Sequence, residues 1–279
     1  FCVSCRLTHF IPDLSKPGHR EAWYALEVAK RRLVYSLVAL GLPLAPKSDD
    51  CPRGLAFEFQ SDESETAPVL TGHSEGVITI NIAEADDAER EKRRLLMHEP
   101  YRTLLGHFRH EVGHYYWDRL IRDRDGLDGF RALFGDERES YPQSLERHYQ
   151  QGPVPDWQKA YVSAYASAHP WEDWAETWAH YLHITDTLET AGDCGLALRP
   201  RHADLPAVRP RFSLRGVTAI PFDSLLADWL AVAFLLNNLS RGLGEGDLYP
   251  FILSEKAIEK LRFVHRVCRE PAAPQSPPS

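Results

Sequence analysis

His110-Glu111-Val112-Gly113-His114 is the most informative segment of this chain, because it has the H-E-x-x-H spacing. Residues four apart lie on one face of an α-helix, so His110 and His114 can reach a single metal ion. Glu111 is offset around the helix, where it can hold an attacking water without being a ligand. Because so short a pattern also arises by chance, it predicts a zinc site only if the chain supplies a third ligand.

A second helix carries candidates for that third ligand. Catalytic zinc takes three protein ligands and keeps one open position. In Trp171-Glu-Asp-Trp-Ala-Glu176, Glu172 and Glu176 are four apart, so one carboxylate can bind the ion while the other orients a ligand imidazole. The spacing does not decide between them. Asp173 is expected to point away from this face, as a surface or capping group.

Further side chains near these motifs have competing interpretations. Three histidines flank the Glu172 face and could replace it as third ligand: His169, His180 and His183. His107 lies one turn before His110 and could face the same cleft, but it is expected to be packed or hydrogen-bonded. Tyr115 and Tyr116 follow the motif; one of them could reach the cleft, but aromatic packing is expected for both.

Composition limits the possible functions of the 279 residues. The formal net charge of -8 argues against a dedicated nucleic-acid binder. Five scattered cysteines form no disulfide framework, which favours a reducing, cytoplasmic setting. We find no signal peptide, and the apolar stretch 225–236 is interrupted by Asp228 and too short to span a bilayer. A soluble protein without membrane attachment is expected.

Periodicity and breakers predict the order of elements. Strands are predicted at 55–59 and 76–82, the latter as a core strand or as an edge to which a peptide could add. Helices are predicted at 20–40, 84–94 (exposed), 101–122 (carrying the motif), 157–191 (broken at Pro170) and 222–239 (buried). A loop is predicted at 60–66 and a loop-rich section at 123–156, and the proline-rich tail 269–279 is expected to be disordered.

Several segments together resemble the bacterial zinc-binding metallopeptidases that carry an N-terminal zinc ribbon. The resemblance runs from the N-terminus to about residue 195, and it is specific because its motifs occur together. The matching segments are Ile11-Pro-Asp-Leu14, Lys30-Arg-Arg-Leu33, Thr71-Gly-His73, 76–86, 101–117 and 169–183. It implies a mainly helical α+β, zincin-like domain over 16–268, with a small mixed sheet at the rim of the cleft.

More distantly, the arrangement is similar to the gluzincins, including anthrax lethal factor. In their E-x-x-A-E pattern the first glutamate is a zinc ligand, which implies that Glu172 binds zinc and that Glu176 supports a histidine ligand. A tyrosine seven residues before the ligand glutamate assists catalysis in that toxin, and Tyr165 stands at this spacing.

The ribbon departs from its family pattern. Such a site needs four ligands, usually two CxxC pairs, and residues 1–15 supply only Cys2 and Cys5. Cys51 is isolated and does not obviously replace the missing pair. The resemblance therefore implies an incomplete second zinc site in a remnant of the ribbon.

The sequence thus predicts a zinc-dependent metallopeptidase acting on peptides or proteins. Zinc on His110, His114 and Glu172 would carry the water that Glu111 activates as general base, and Tyr165 would bind the oxyanion. Three alternatives stay open. One is a catalytically silent zinc-binding scaffold or adaptor, and another is hydrolysis of a non-peptide amide. The third, a DNA-linked protease of the SprT type, would use a histidine as third ligand and a basic surface, which the net charge disfavours.

Overall fold

A computed structural model describes residues 1–48, 53–62, 69–96, 103–122, 126–201, 207–210, 214–217 and 219–269. Its internal contacts divide the chain into a first unit, Phe1–Val38 with Leu42–Ala132, and a second unit, Ala39–Gly41 with Leu133–Ser279. The described part is mainly helical with one small mixed sheet, which confirms the α+β class predicted from the sequence. Cys51, Tyr101, most of the loop predicted at 60–66 and the tail from 270 lie outside it.

The first unit contains the sheet and the helix with the histidine motif. Its elements are α1 (Val3–Arg6), β1 (Thr8–Phe10), α2 (His19–Ala39), β2 (Ala56–Gln60), β3 (Gly72–Ser74), β4 (Val77–Asn81), α3 (Asp87–Leu96) and α4 (Leu104–Trp117). The helix predicted at 20–40 and both predicted strands are confirmed to within one residue at each end. The charged helix predicted at 84–94 begins only at Asp87.

The sheet has the strand order β1-β2-β4-β3, with β3 antiparallel to β4 and the other pairs parallel. Because β4 pairs with β2 on one side and β3 on the other, the hypothesis that 76–82 forms an edge is wrong. Glu75 and Gly76 both have positive φ, as a tight hairpin turn requires. A Cβ on Gly76 would lie 2.3 Å from the Gly54 carbonyl oxygen, so only glycine fits this turn.

A buried lysine joins α2 to the sheet. Lys30 is fully buried, donates to the Glu27 carboxylate at 2.7 Å and to the Thr8 hydroxyl, and lies 5.5 Å from the centre of the Phe59 ring. Burial lowers the pKa of Lys30, although the hydrogen bond to Glu27 opposes this. The ammonium is tolerated in the core because carboxylate, hydroxyl and aromatic face replace its lost hydration.

The second unit is helical. The chain passes into it within α5 (Leu127–Phe134), and its further helices are α6 (Tyr141–Gln151), α7 (Pro170–Asp193), α8 (Leu214–Val217), α9 (Phe222–Gly242) and α10 (Glu255–Arg269). The prediction that 123–156 is rich in loop is wrong, because α5 and α6 occupy more than half of it. In the region predicted as helical from 157, two short 3₁₀ turns, Trp157–Lys159 and Tyr165–Ala168, precede α7. Pro170 begins α7, where its fixed φ and missing N–H suit the first turn.

Helix α9 is the apolar helix predicted at 222–239, but the prediction that it is buried is wrong. Leu230, Phe234 and Leu239 each expose more than half of their surface. With 21 residues, α9 is also the one helix of the described ranges that is long and apolar enough to cross a membrane, whereas the sequence suggested a stretch too short to do so. Core helices of soluble proteins can have the same length and composition, so this feature alone does not distinguish a membrane-spanning helix from a core helix.

Candidate metal centre

Helix α4 presents the two motif histidines side by side. Thr103 caps it, its hydroxyl accepting the Gly106 N–H at 3.0 Å, and a π-helical turn, Asp118–Arg122, continues it. The rings of His110 and His114 lie 5.0 Å apart, centre to centre, and nearly perpendicular to each other. His114 is buried and His110 half-buried. The predicted helix is confirmed over the described residues from 103, and with it the shared face of the two imidazoles.

The sheet and the preceding loop hold α4 in place. Phe108 packs against Phe57 and Phe59 of β2, with ring centres 5.7 and 6.2 Å away. The hydroxyls of Tyr115 and Tyr116 donate to backbone carbonyls at 3.2 and 3.1 Å, which confirms that both tyrosines are packing residues. Aromatic burial on one side therefore fixes the face that carries the histidines.

His107 contacts a buried carboxylate. Its Nδ1 lies 3.2 Å from Oε2 of Glu84, in the 3₁₀ turn Ile82–Ala85 that follows β4. The prediction that His107 is packed or hydrogen-bonded is confirmed. Glu84 was predicted to lie on an exposed charged helix, and this is wrong because the turn directs its side chain into the interior, where it is 1% exposed.

His73 on β3 lies beside His114. Their rings are nearly parallel, with centres 6.3 Å apart. The Nε2 of His73 accepts the Gly76 N–H at 3.0 Å, so the neutral ring carries its proton on Nδ1. Burial lowers the pKa of His73 to about 4, and the charges of Arg122 and Lys47 act in the same direction. The structure therefore places a third, neutral imidazole near the motif, which sequence reasoning found only as part of a family segment.

In the second unit, Glu172 lies in the first turn of α7 and is 1% exposed. His169 caps this helix, its Nδ1 accepting the Trp171 N–H at 3.0 Å. The hydroxyl of Tyr141, the first residue of α6, donates to Oε1 of Glu172 at 2.6 Å. Sequence reasoning missed Tyr141, since it lies 31 residues before Glu172 in a segment that was predicted to be loop.

Asp173 is not the surface or capping group that the sequence predicted. It is fully buried, and Oδ2 accepts from Lys260 of α10 at 2.6 Å. Burial raises the pKa of Asp173 to about 7, although the charge and the hydrogen bond of Lys260 oppose the rise. The ion pair fixes the first turn of α7, which also carries Glu172.

Glu176 and Tyr165 lie on the segments where they were expected to act. Oε2 of Glu176 accepts from the Ser163 hydroxyl at 2.6 Å. Tyr165 begins the turn before α7, and its ring meets that of His148 edge-on at 5.8 Å. Burial lowers the pKa of His148, opposed by the charge of Glu172. These contacts do not test the roles assigned to Glu176 and Tyr165, which stay predictions.

The alternative histidine ligands have other hydrogen bonds. His180 is buried, and its Nδ1 shares a 2.7 Å hydrogen bond with the hydroxyl of Tyr249. His169 uses Nδ1 to cap α7, and its Nε2 lies 3.2 Å from the Glu139 carbonyl oxygen. The ring of His183 lies 5.9 Å from that of His180. These contacts do not test which residue is the third ligand, and this assignment stays a prediction.

The N-terminal cysteines lie together. Sγ of Cys2 and Sγ of Cys5 are 3.4 Å apart on either end of the first turn of α1. Hydrogen bonds from Cys5, the backbone one first, lower the pKa of the Cys2 thiol. The half-site predicted for Cys2 and Cys5 stays a prediction. Residues 1–15 also contain β1, which pairs with β2 of the sheet.

The side chains available in the two units have the chemistry that zinc prefers. The first unit offers two adjacent imidazoles, His110 and His114, and the second offers the buried carboxylate of Glu172. Two histidines and a glutamate form one of the ligand sets of catalytic zinc. The two imidazoles favour this borderline-soft ion over calcium and magnesium, which prefer oxygen ligands alone.

Comparison with known proteins gives one family and a set of relatives. A family model described as "Putative zinc-binding metallo-peptidase" matches residues 19–267. Uncharacterized proteins of Mycobacterium bovis and Mycobacterium tuberculosis are 46% identical over 272 residues, which cover 97% of this chain and 76% of each relative. No solved structure matches the chain.

Proposed function

Because the chain belongs to this family of zinc-binding metallopeptidases, we propose that it is a zinc-dependent hydrolase that cleaves peptide bonds. The observation that carries the proposal is the pair of imidazoles on α4. His110 and His114 lie side by side on one face, and Glu111 stands between them in the sequence. The family supplies the substrate class, since a peptidase acts on peptides or proteins.

We propose His110, His114 and Glu172 as the zinc ligands, within a zincin-like fold of the gluzincin type. Burial and side-chain chemistry support this set. Glu172 is a buried carboxylate in the first turn of α7, and it accepts a hydrogen bond from Tyr141. Such a bond fits a ligand role, because metal-binding carboxylates are themselves hydrogen-bonded. Glu176 is assigned the role of orienting one of the histidines.

The bound zinc would supply Lewis-acid chemistry, acidifying a water and polarising the scissile carbonyl. Glu111 accepts the proton of the attacking water and delivers it to the leaving amine. Its position one residue after His110 places its carboxylate at the border of the ligand face. Tyr165 donates a hydrogen bond to the oxyanion of the tetrahedral intermediate. The buried aromatic side of α4 keeps this helix rigid while the proton moves.

Glu111→Gln tests this mechanism. The variant keeps both imidazoles and the size of the side chain but cannot accept a proton, so zinc content should be unchanged. Turnover of a quenched fluorescent peptide library should fall about 10²- to 10⁴-fold. The matched control is Glu245→Gln, an exposed glutamate in the loop after α9, which should behave as wild type.

Two results would contradict the proposal. Undiminished hydrolysis by Glu111→Gln would show that Glu111 is not the general base. A wild-type protein that holds stoichiometric zinc and cleaves no member of the library would favour the scaffold over the enzyme. Elemental analysis of the purified protein, together with the peptide assay, separates these cases.

A further inference from the structure

Tyr141, which is half-buried, forms a hydrogen bond with the buried side chain of Glu172. The phenol hydroxyl lies 2.6 Å from Oε1 of Glu172, a carboxylate that is 1% exposed. Bonds of this length between a hydroxyl and an ionised carboxylate are charge-assisted and about twice as strong as neutral ones. Because Glu172 is buried, such a bond restricts the orientation of its carboxylate.

Tyr141 is itself held rigidly. Its ring meets the rings of His169 and Trp171 edge-on, at 5.2 and 5.7 Å between centres. These two residues flank the first turn of α7. His169 Nε2 also contacts the backbone oxygen of Glu139, two residues before Tyr141. The start of α6 and the start of α7 are thus joined by ring packing as well as by the hydrogen bond.

We infer that Tyr141 is the positioning residue for the metal ligand Glu172, holding one carboxylate oxygen so that the ion is bound through a single oxygen. The inference rests on the proposed zinc site. Partners of metal-bound carboxylates and imidazoles orient the ligand, and their removal costs about 10- to 100-fold in metal affinity or activity. This role differs from that of Tyr165, whose ring packs against His148 and which is assigned to the oxyanion.

Tyr141→Phe removes the hydroxyl and keeps the ring contacts with His169 and Trp171. Zinc affinity, measured by competition with a chromophoric chelator, should fall about 10- to 100-fold. The visible absorption of the cobalt-substituted protein should also change, because it reports the ligand geometry. Tyr149→Phe is the matched control: Tyr149 lies on the same helix with its side chain exposed, and its variant should bind both metals as wild type does.

A double-variant cycle shows whether Tyr141 acts through Glu172. If it does, Tyr141→Phe should weaken zinc binding in the wild-type background and add nothing to Glu172→Gln. An equal loss in both backgrounds would overturn the inference, because it would indicate general destabilisation. Zinc affinity and a cobalt spectrum unchanged by Tyr141→Phe would overturn it as well. Circular dichroism of the metal-free variants confirms that each is folded.

His110→Ala separates this inference from the proposed function. If His110→Ala abolishes zinc binding while Tyr141→Phe does not weaken it, the metal site stands and only the role of Tyr141 is refuted. If His110→Ala binds zinc as tightly as wild type, the proposed site itself is wrong.

Discussion

Lys260→Met should strongly destabilise the protein, because it leaves a buried carboxylate without its cation. Lys260 donates to Asp173 at 2.6 Å and to the Ala160 carbonyl at 2.7 Å, and its ammonium lies 4.2 Å from the centre of the Tyr161 ring. Neither charged side chain is more than 4% exposed. Methionine has a similar length and an apolar body, so the substitution replaces the charge and keeps most of the volume.

The magnitude follows from this burial. Removing one partner of a buried ion pair costs about 3 to 5 kcal/mol, since the remaining charge is desolvated without compensation. Burial already raises the pKa of Asp173 to about 7 with Lys260 present, and without Lys260 it rises further. Above about pH 7 the carboxyl group of Asp173 is therefore protonated in the folded variant but ionised in its unfolded chain. The loss in stability should be larger at pH 8 than at pH 6.

Urea unfolding of the metal-free protein, followed by circular dichroism at both pH values, measures this loss. The control is Lys256→Met on the same helix, whose ion pair with Glu259 is exposed and contributes about 0 to 1 kcal/mol. Asp173→Asn combined with Lys260→Met should recover part of the loss, because no unpaired charge remains. A loss for Lys260→Met no larger than that for Lys256→Met would refute the reasoning.

Two further predictions concern His180 and the cap of α4. Burial lowers the pKa of His180 from 6.5 to about 4, so the unfolded chain takes up a proton first and stability is lost as pH falls from about 6.5 to 4. At pH 4.5 this loss amounts to about 2.5 kcal/mol of unfolding free energy. Denaturant titrations at pH 7.5 and 4.5 measure the loss on acidification, and it should be smaller by this amount in His180→Gln than in wild type. Thr103→Ala removes the cap hydrogen bond to Gly106 and should cost about 1 kcal/mol of unfolding free energy, whereas Thr103→Ser should cost much less. Equal stability of the two Thr103 variants would show that the cap bond contributes nothing.

The helix and strand signals that the sequence carries are local ones. His110 and His114 share a face because any α-helix places residues four apart on one side, and this needs no knowledge of the rest of the fold. The β-branched run at 77–81 likewise predicts a strand from its own residues. For the same reason Pro170 marks a helix boundary wherever its helix lies.

The wrong predictions concern residues whose contacts in the fold are distant in the sequence. The position of β4 inside the sheet depends on β3, three residues of weak strand character that no local pattern reveals. Asp173 was predicted to be a surface or capping residue because its partner, Lys260, lies 87 positions later in the sequence. The exposed face of α9 could not be predicted, since an apolar helix has the same composition whether its outer side is covered or not.

Helical periodicity was enough to place His110, Glu111 and His114 on one helix, and the family resemblance pointed to Glu172. The surroundings of those side chains come from the tertiary packing. It brought Tyr141 to Glu172, His73 to the neighbourhood of His114, and Lys260 to Asp173. The physical reason is that helical periodicity is a property of neighbouring residues. A buried hydrogen bond or ion pair, by contrast, requires two distant segments to meet, and that is decided by the packing of the whole chain.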